Sequence, residues 1–387
     1  MYEKFSYPEL DTPAVLIDMN KLEANIEEMS RQVSDTGVKL RVHVKSHESA
    51  IIAKLQILSG SCGIEVGPVN QAEAMAEEGI DDIIIAHPGF YGSQKLETLK
   101  RLLSKSSLKI SIVVDMLEQA ESISLAGQAV GRSVPIILKI DLGRSSRHGV
   151  PPGKAVLDLA KKLCKLPYVD FKGIYAHEMG AEPTLESVDK MAFEAASIMN
   201  EEAKMLKKNG IKVEHVSLGS SAVFRSTCRY LKEKKFPEIT EIHPGSCVIG
   251  DIMYFKLLGN KRENCAVTVL TTVMSTSHND WAVIDAGYKT FGADSLIGHR
   301  KDSDFFWNGK PSFGSIQGRS DLWFGRLFAE TGCIYYQNLN KKLKLGERLE
   351  IVPNNATLVI NIHDILYGVR NGTIEKIIPT TGRGRGN

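Results

Sequence analysis

The sequence has few of the features that mark secreted, membrane or nucleic-acid-binding proteins. Its 387 residues include only six cysteines, without CxxC pairs or a disulfide-framework spacing, which favours reduced thiols and a cytoplasmic location. No apolar run approaches the length of a bilayer span, and residues 1–5 lack the basic and apolar regions of a signal peptide. A formal charge of +2 gives no overall reason to expect nucleic acid or an anionic membrane as a partner.

What the sequence does contain is a regular alternation of short β-branched runs with amphipathic helical stretches. Such alternation indicates parallel strands joined by right-handed crossovers. Eight units fit a (β/α)8 TIM-like barrel, with an open doubly wound sheet as the alternative. The eight predicted strands are 38–45, 62–66, 83–87, 110–115, 135–141, 171–177, 213–218 and 238–243.

The texture of the sequence changes near residue 255, and strand-like runs separated by turn signals dominate from there on. We therefore predict two domains, a barrel over residues 20–255 and a mostly β domain over 256–387, which the N-terminal strand within 1–19 joins. The strand-like runs of the second domain are 265–273, 281–285, 333–337, 347–353, 357–362 and 373–378.

The most informative segment lies in the first predicted strand, where cationic and imidazole side chains alternate with valines. Side chains in a strand alternate faces, so Arg41, His43, Lys45 and His47 share one face. Burial of these groups is costly unless an anion lies among them, and a lysine among cations has a lowered pKa and can form a Schiff base. A solvated basic face on an edge strand remains the alternative.

Polar residues recur where the predicted strands end, as expected for a barrel active site. Several have structural alternatives: Asp115 and Asp141 are typical of helix caps or turns, His87 of the turn before Pro88, and Glu65 of a polar barrel rim. The residues at the strand ends are Lys45, Glu65, His87, Asp115, Asp141, His177, Ser217 and His243.

The order and spacing of several short motifs resemble the D-threonine aldolase and D-serine dehydratase group of pyridoxal-phosphate (PLP) enzymes, which share the alanine racemase barrel. The resemblance runs nearly from end to end. Its motifs are Asp11-Thr12-Pro13, Arg41-x-His43-x-Lys45-x-His47, Asp141-x-Gly143 with Arg147-His148-Gly149-Val150, Gly173-Ile174-Tyr175-Ala176-His177, Ser217-x-Gly219-Ser220-Ser221, His243-Pro244-Gly245-Ser246 and Asp285-Ala286-Gly287.

The resemblance implies that the cofactor is PLP and that Lys45 forms its Schiff base, with His177 and Tyr175 as further catalytic candidates. Phosphate is held well by backbone N–H groups at glycine turns and by hydroxyls, and barrels bind it after strands seven and eight. We therefore expect both late loops to contribute. The expected cofactor-binding residues are His43, Arg147, Tyr175, Ser217, Gly219, Ser220, Ser221, Gly245, Ser246 and Cys247.

The sequence departs from the family pattern at two places. Family members carry a histidine and a cysteine or aspartate as metal ligands in the β domain, where this chain has Asn355 and Thr357. Neither is a good ligand for zinc or manganese, so we expect no metal there, and a divalent metal is doubtful. The segment 177–181 also lacks the family's second histidine.

These features predict a PLP-dependent lyase, an aldolase or a dehydratase, acting on D-3-hydroxy amino acids such as D-threonine or D-serine. A metal-independent PLP racemase or epimerase is the first alternative; it needs a second acid or base opposite Lys45. A non-catalytic PLP-binding protein is the second, against which the substantial β domain argues. The resemblance also implies a homodimer with shared active sites and an amino acid as the small-molecule substrate.

Overall fold

The computed structural model describes residues 7–143, 147–179, 184–257, 264–292, 306–307 and 310–386. The chain divides into two compact units. One, here called the barrel unit, comprises residues 26–45, 50–245 and 384–387; the other, the β unit, comprises 1–25, 46–49 and 246–383. Strand β1 (Ala14–Asp18) and helix α1 (Met19–Ser34) open the chain, and the division falls inside α1.

The barrel unit is a sheet of short parallel strands, each followed by a helix or turn. Its strands are β2 (Lys39–Leu40), β3 (Val42–His43), β4 (Ile64–Val66), β5 (Asp82–Ile85), β6 (Lys109–Val114), β7 (Val134–Lys139), β8 (Val169–Tyr175), β9 (His215–Leu218) and β10 (Glu241–Ile242). Its helices after α1 are α2 (Ala50–Leu58), α3 (Val69–Glu77), α4 (Ser93–Ser104), α5 (Leu117–Val130), α6 (Lys154–Leu163), α7 (Leu185–Lys208) and α8 (Phe224–Lys232).

The sheet closes on itself, and the predicted barrel is confirmed. The strand order is β2-β10-β9-β8-β7-β6-β5-β4-β3, and every neighbouring pair is parallel. Because only Arg41 separates β2 from β3, the two ends of this sheet belong to one segment, and the nine strands occupy eight barrel positions. The carboxyl ends of all strands therefore lie at one face, where barrel sites are built.

Arg41 holds the first strand position to its neighbours inside the barrel unit. Its Nε donates to Glu241 Oε2 at 3.0 Å and its Nη1 to Asp82 Oδ1 at 2.6 Å, while only 7% of the residue is exposed. The sequence predicted an anion beside the buried cationic side chains. For Arg41, that anion is supplied by the protein's own carboxylates. Arg41 fixes strands rather than binding a ligand, which leaves His43 and Lys45 as the candidates for chemistry.

Replacing Arg41 by alanine is expected to lower the free energy of unfolding by about 3–5 kcal/mol, because it leaves the Glu241 carboxylate buried and uncompensated. Denaturant unfolding followed by circular dichroism measures this. As a control, Arg101→Ala removes a pair with Glu73 in which the arginine is 59% exposed, and it should cost no more than about 1 kcal/mol. Equal effects for the two variants would contradict a special role for Arg41.

The β unit is built on a mixed sheet with the order β16-β17-β12-β11-β1-β19-β20, and β18 pairs with both β11 and β15. The N-terminal strand β1 pairs antiparallel with β11 and parallel with β19. The elements are α9 (Ile252–Leu257), β11 (Val267–Ser275), β12 (Trp281–Ile284), α10 (Tyr288–Phe291), β13 (Phe306–Trp307), β14 (Lys310–Pro311), β15 (Gly314–Ile316), β16 (Leu322–Leu327), β17 (Gly332–Tyr336), β18 (Arg348–Pro353), α11 (Ala356–Asn361), β19 (Ile365–Arg370) and β20 (Thr373–Pro379).

The predicted strand over 357–362 is wrong, because this segment forms helix α11. The side chain of Asn355 accepts the N–H of Leu358 and so caps the helix, a position that favours asparagine. The buried residues Ala356, Val359 and Ile360 have helical spacing. The β-branched composition suggested a strand, but the cap and the spacing determine the structure.

Two family motifs, Asp11-Thr12-Pro13 and Asp285-Ala286-Gly287, are joined by a hydrogen bond in the β unit. The Thr12 hydroxyl donates to Asp285 Oδ2 at 2.5 Å, and Thr271 Oγ1 donates to Asp285 Oδ1 at 2.6 Å. The carboxylate of Asp285 thereby ties residues before β1 and in β11 to the end of β12. No described helix is long and apolar enough to cross a bilayer.

Candidate active site

Lys45 follows the first strand of the barrel in a single turn of 3-10 helix, Val44–Ser46. The predicted strand to residue 45 is therefore two residues too long, since β3 ends at His43. The backbone N–H of Lys45 donates to His43 Nδ1 at 3.3 Å, and this contact fixes the turn. Simple strand alternation does not place Lys45 beside His43; the turn after the strand does.

The Lys45 amine has a lowered pKa. Burial is the main cause, the charge of Arg147 adds to it, and the Glu65 carboxyl opposes it. A larger fraction of the amine is therefore neutral at physiological pH than for an exposed lysine, and the neutral amine is the form that attacks a carbonyl. This is the electrostatic condition that a Schiff-base lysine requires.

A cavity in the barrel unit gathers all three predicted catalytic residues. Lys45, Tyr175 and His177 line it together with His43 and Arg147. Sequence reasoning assigned all five to the site. The complete lining is His43, Lys45, Ala86, His87, Lys139, Arg147, His148, Tyr175, His177 and Met179.

Five lining residues were not foreseen as site residues, and three of them are titratable: His87, Lys139 and His148. His87, interpreted as a turn residue, lines the cavity, and burial lowers its pKa to about 4. The Lys139 Nζ atom lies 3.5 Å from His148 Nδ1, and burial lowers the lysine pKa to about 8. The sequence feature that could have identified Lys139 as a site residue is its position as the one charged residue, at the end of the otherwise apolar strand β7.

Tyr175 is fixed from two sides inside the barrel. Its hydroxyl donates to Glu65 Oε2 at 3.1 Å, and its ring stacks on His243 with a centroid separation of 4.4 Å and an interplanar angle of 10°. Burial raises the pKa of both Glu65 and Tyr175 well above their ordinary values. Glu65 is thus a buried partner of Tyr175 rather than a rim residue.

His177 lies two residues beyond Tyr175 and lines the same cavity. Its Nδ1 is buried and has no hydrogen-bond partner among the residues that the structure describes. Burial, together with the positive charge of Lys45, holds the pKa of His177 well below its usual value. The neutral imidazole is therefore a candidate base facing the cavity.

Asp115 and Asp141 accept backbone N–H groups of a loop, in line with the interpretation that they stabilise helix caps or turns. Asp115 Oδ2 accepts the N–H of Gly149 at 2.9 Å, and Asp141 Oδ1 accepts that of Gly143 at 2.7 Å. Both carboxylates shape the loop that follows β7 and carries Arg147. Arg147 is exposed and lines the cavity.

The turn after β9 was expected to bind phosphate, and two of its N–H groups converge on a carboxyl group of the protein itself. Gly219 has φ +123°, a conformation that favours glycine. The N–H groups of Gly219 and Ser220 donate to Glu178 Oε2 at 3.2 and 2.7 Å. Burial raises the pKa of Glu178 to about 7, although these N–H groups oppose the shift.

The remaining predicted cofactor residues have diverse surroundings. Ser217 Oγ lies 2.7 Å from His243 Nδ1 inside the barrel. Ser221 Oγ accepts the N–H of Gly245 at 2.9 Å, and a Cβ at Gly245 would lie 2.7 Å from the His43 carbonyl oxygen, so only glycine fits there. Ser246 and Cys247 belong to the β unit.

The segment expected to have lost its metal ligands has a structural role. The side chain of Asn355 caps α11, and Thr357 lies inside that helix. Among the described residues there is no group of three or more His, Cys, Asp or Glu side chains able to hold a metal. Residues 180 and 181 of the segment without the second histidine lie outside the described residues.

Comparison with known proteins identifies the family. Residues 17–252 match the family described as alanine racemase, N-terminal domain. The chain belongs to this family. Residues 266–369 of this alanine racemase-type protein match a second family, described as putative serine dehydratase domain. The two matches follow the order of the predicted barrel and β-rich segments.

Individual relatives align with nearly the whole chain. A 3-hydroxy-D-aspartate aldolase of Paracoccus denitrificans (strain Pd 1222) is 32% identical over 98% of this chain and 93% of its own length. A D-serine dehydratase of Dictyostelium discoideum is 26% identical over 94% of each chain. The crystal structure of D-threonine aldolase from Filomicrobium marinum superposes with a TM-score of 0.83 at 26% identity, covering 97% of this chain and 96% of that one.

Proposed function

We propose that this protein is a PLP-dependent lyase that cleaves or dehydrates D-3-hydroxy amino acids such as D-threonine or D-serine. The observation that carries the proposal is the half-buried Lys45, whose side chain lines a cavity at the carboxyl end of the first barrel strand with Tyr175 and His177. Full-length similarity to an aldolase and a dehydratase supports a lyase. The serine dehydratase domain match favours it over the racemase alternative.

The chemistry of the donor set fits PLP. The cavity offers an amine of lowered pKa for an aldehyde, and the turn after β9 offers two converging N–H groups and the buried Ser220 hydroxyl, which has no partner among the described residues. N–H groups at a glycine turn suit a phosphate. When bound, PLP supplies an electron sink that weakens the bonds at the substrate's α-carbon.

We assign the contacts with the cofactor to residues that line the cavity and to the two late loops. Lys45 would hold the aldehyde group, and Tyr175 and Arg147 would hold the ring or the phosphate. The two late loops hold the phosphate. The proposed cofactor-binding residues are His43, Arg147, Tyr175, Ser217, Gly219, Ser220, Ser221, Gly245, Ser246 and Cys247.

His177 is the proposed base for the substrate's β-hydroxyl. Its ring is neutral, and its buried Nδ1 has no partner among the described residues. Both features suit the removal of a proton, which a retro-aldol cleavage needs. For a dehydration, the neutral Lys45 amine takes the proton from Cα instead. Tyr175, held by Glu65 and His243, keeps a fixed position and helps to orient the reacting groups.

We further propose that the protein works as a cytoplasmic homodimer with shared active sites, with an amino acid as its small-molecule partner. In this proposal the functional domains are the PLP-binding barrel over 20–255 and the β-rich domain over 256–387, which the N-terminal segment 1–19 joins. The low net charge supports neither a nucleic-acid nor a membrane partner.

The test is product analysis with purified protein, PLP and each of D-threonine, D-serine and 3-hydroxy-D-aspartate, with L-enantiomers as controls. Glycine plus an aldehyde identifies an aldolase, and ammonia plus a keto acid identifies a dehydratase. A change of optical rotation alone would establish the racemase alternative instead. Absence of any visible absorption change on PLP addition would overturn PLP binding altogether.

Activity is expected to survive EDTA, because an amide and a hydroxyl stand at the positions of the family's metal ligands. The check compares initial rates after EDTA treatment with and without added Mn²⁺ or Zn²⁺. Asn355→Ala should leave the rate unchanged while lowering the free energy of unfolding by about 1 kcal/mol through loss of the helix cap. A rate that collapses in EDTA and returns with metal would refute this expectation.

A further inference from the structure

The Glu178 carboxylate lies against the N–H groups that the proposed function assigns to phosphate. Its Oε2 accepts both the N–H of Gly219 and that of Ser220. Only 3% of Glu178 is exposed. Glu178 lies just after β8, the barrel strand that neighbours β9.

Two polar atoms at this turn have unused hydrogen-bonding capacity. Glu178 Oε1 and Ser220 Oγ are both buried and lack a hydrogen-bond partner within the described part of the chain. Buried polar groups in native proteins are normally satisfied, and an unpartnered one is costly. Among the described residues, the turn thus holds the Glu178 carboxyl group through two N–H groups and not through the Ser220 hydroxyl.

We propose that the Glu178 carboxylate competes with the cofactor phosphate for the N–H groups of Gly219 and Ser220, and that it thereby sets the affinity for phosphorylated cofactor. This inference rests on the proposed function, since it takes the turn as the phosphate site. A phosphate and a carboxylate cannot both use the same two donors, and their like charges repel at hydrogen-bond distance. Phosphate binding therefore requires the carboxylate to move.

A second cavity in the barrel unit provides room for that movement. Glu178 and Met179 line it together with residues of the loop after β7 and of helix α7, namely Leu142, Gly143, Met191, Glu194, Ala195 and Ile198. The walls are largely apolar, so moving a carboxylate there carries a desolvation cost. That cost reduces the free energy of phosphate binding, and it disappears when the side chain at residue 178 is uncharged.

The test compares the affinities for PLP and for pyridoxal, which lacks the phosphate, in wild type, Glu178→Gln and Glu178→Ala. Binding is measured by the absorbance of the bound cofactor at about pH 8.5, because Glu178, with a pKa of about 7, is ionised there. The PLP-to-pyridoxal affinity ratio is expected to rise at least about tenfold in both variants, as expected for a lost competing charged hydrogen bond. Because the ratio is taken within each variant, a general loss of stability cancels.

Glu202→Gln is the matched control. Glu202 is also a buried glutamate that accepts a glycine N–H, from Gly153 at 2.9 Å, and its Oε2 lacks a partner among the described residues. It does not line either cavity described above, so its ratio should equal that of wild type. Inorganic phosphate alone should raise the melting temperature of Glu178→Gln more than that of wild type.

The outcomes separate the inference from the proposed function. If PLP binds but the ratio is unchanged or falls in both Glu178 variants, the carboxylate supports the turn and the inference is overturned. The same conclusion follows if Glu202→Gln raises the ratio equally. If neither PLP nor pyridoxal binds any of the proteins, the proposed function is overturned, and the inference with it.

Discussion

Replacing Lys45 by alanine is expected to abolish lyase activity, with a loss on the order of 10⁴-fold or more, and to abolish covalent attachment of PLP. The reason is chemical: the Lys45 amine, whose pKa burial lowers, is the proposed nucleophile toward the cofactor aldehyde. The measurement is borohydride reduction of the protein incubated with PLP, followed by mass spectrometry of the peptides, alongside initial rates. Wild type should carry the reduced cofactor on the peptide that contains residue 45.

Lys139→Ala is the informative control for this prediction. Lys139 lines the same cavity, and its pKa is also lowered, to about 8, so it is the competing amine in the site. We expect Lys139→Ala to retain the cofactor label at Lys45. A label on Lys139 in wild type, or a label that persists in Lys45→Ala, would assign the nucleophile to the other lysine and refute the proposed role of Lys45.

The barrel was predictable from the sequence because its signal is local and repeated. Each strand is a short apolar run, and the following helix has its own period, so eight units could be counted without knowing their contacts. Strand ends were less predictable. The first strand stops at His43 and a 3-10 turn presents Lys45, a change of backbone that alternation of side chains does not reveal.

The missed features depend on contacts between residues far apart in the chain. Glu178 and Ser220 are 42 residues apart, and the sequence alone gives no sign that a carboxylate lies at the glycine turn. Glu65 was interpreted as a rim residue because its partner Tyr175 is 110 residues away. Local patterns therefore give the elements and the candidate residues, whereas the partners of buried polar groups require the fold.

Replacing His177 by asparagine is expected to lower kcat by about 10²–10⁴-fold, the usual contribution of a general base, with little change in PLP affinity. Because burial and Lys45 hold the pKa of His177 well below its ordinary value, the imidazole is neutral at pH 7. Activity that depends on the neutral ring should therefore stay level as the pH falls to 6.5 and be lost only as the pH falls through the lowered pKa.

The matched variant is His215→Asn, which replaces another mostly buried histidine whose pKa burial also lowers. His215 lies at the start of β9, near Glu241 at 3.5 Å, and does not line the cavity. It should leave kcat and its pH profile unchanged. If His177→Asn changes only stability, or if both variants lower kcat equally, the His177 ring is a packing element. A selective loss of kcat, together with a changed acidic side of the pH–rate profile, can come only from a group that exchanges protons during turnover.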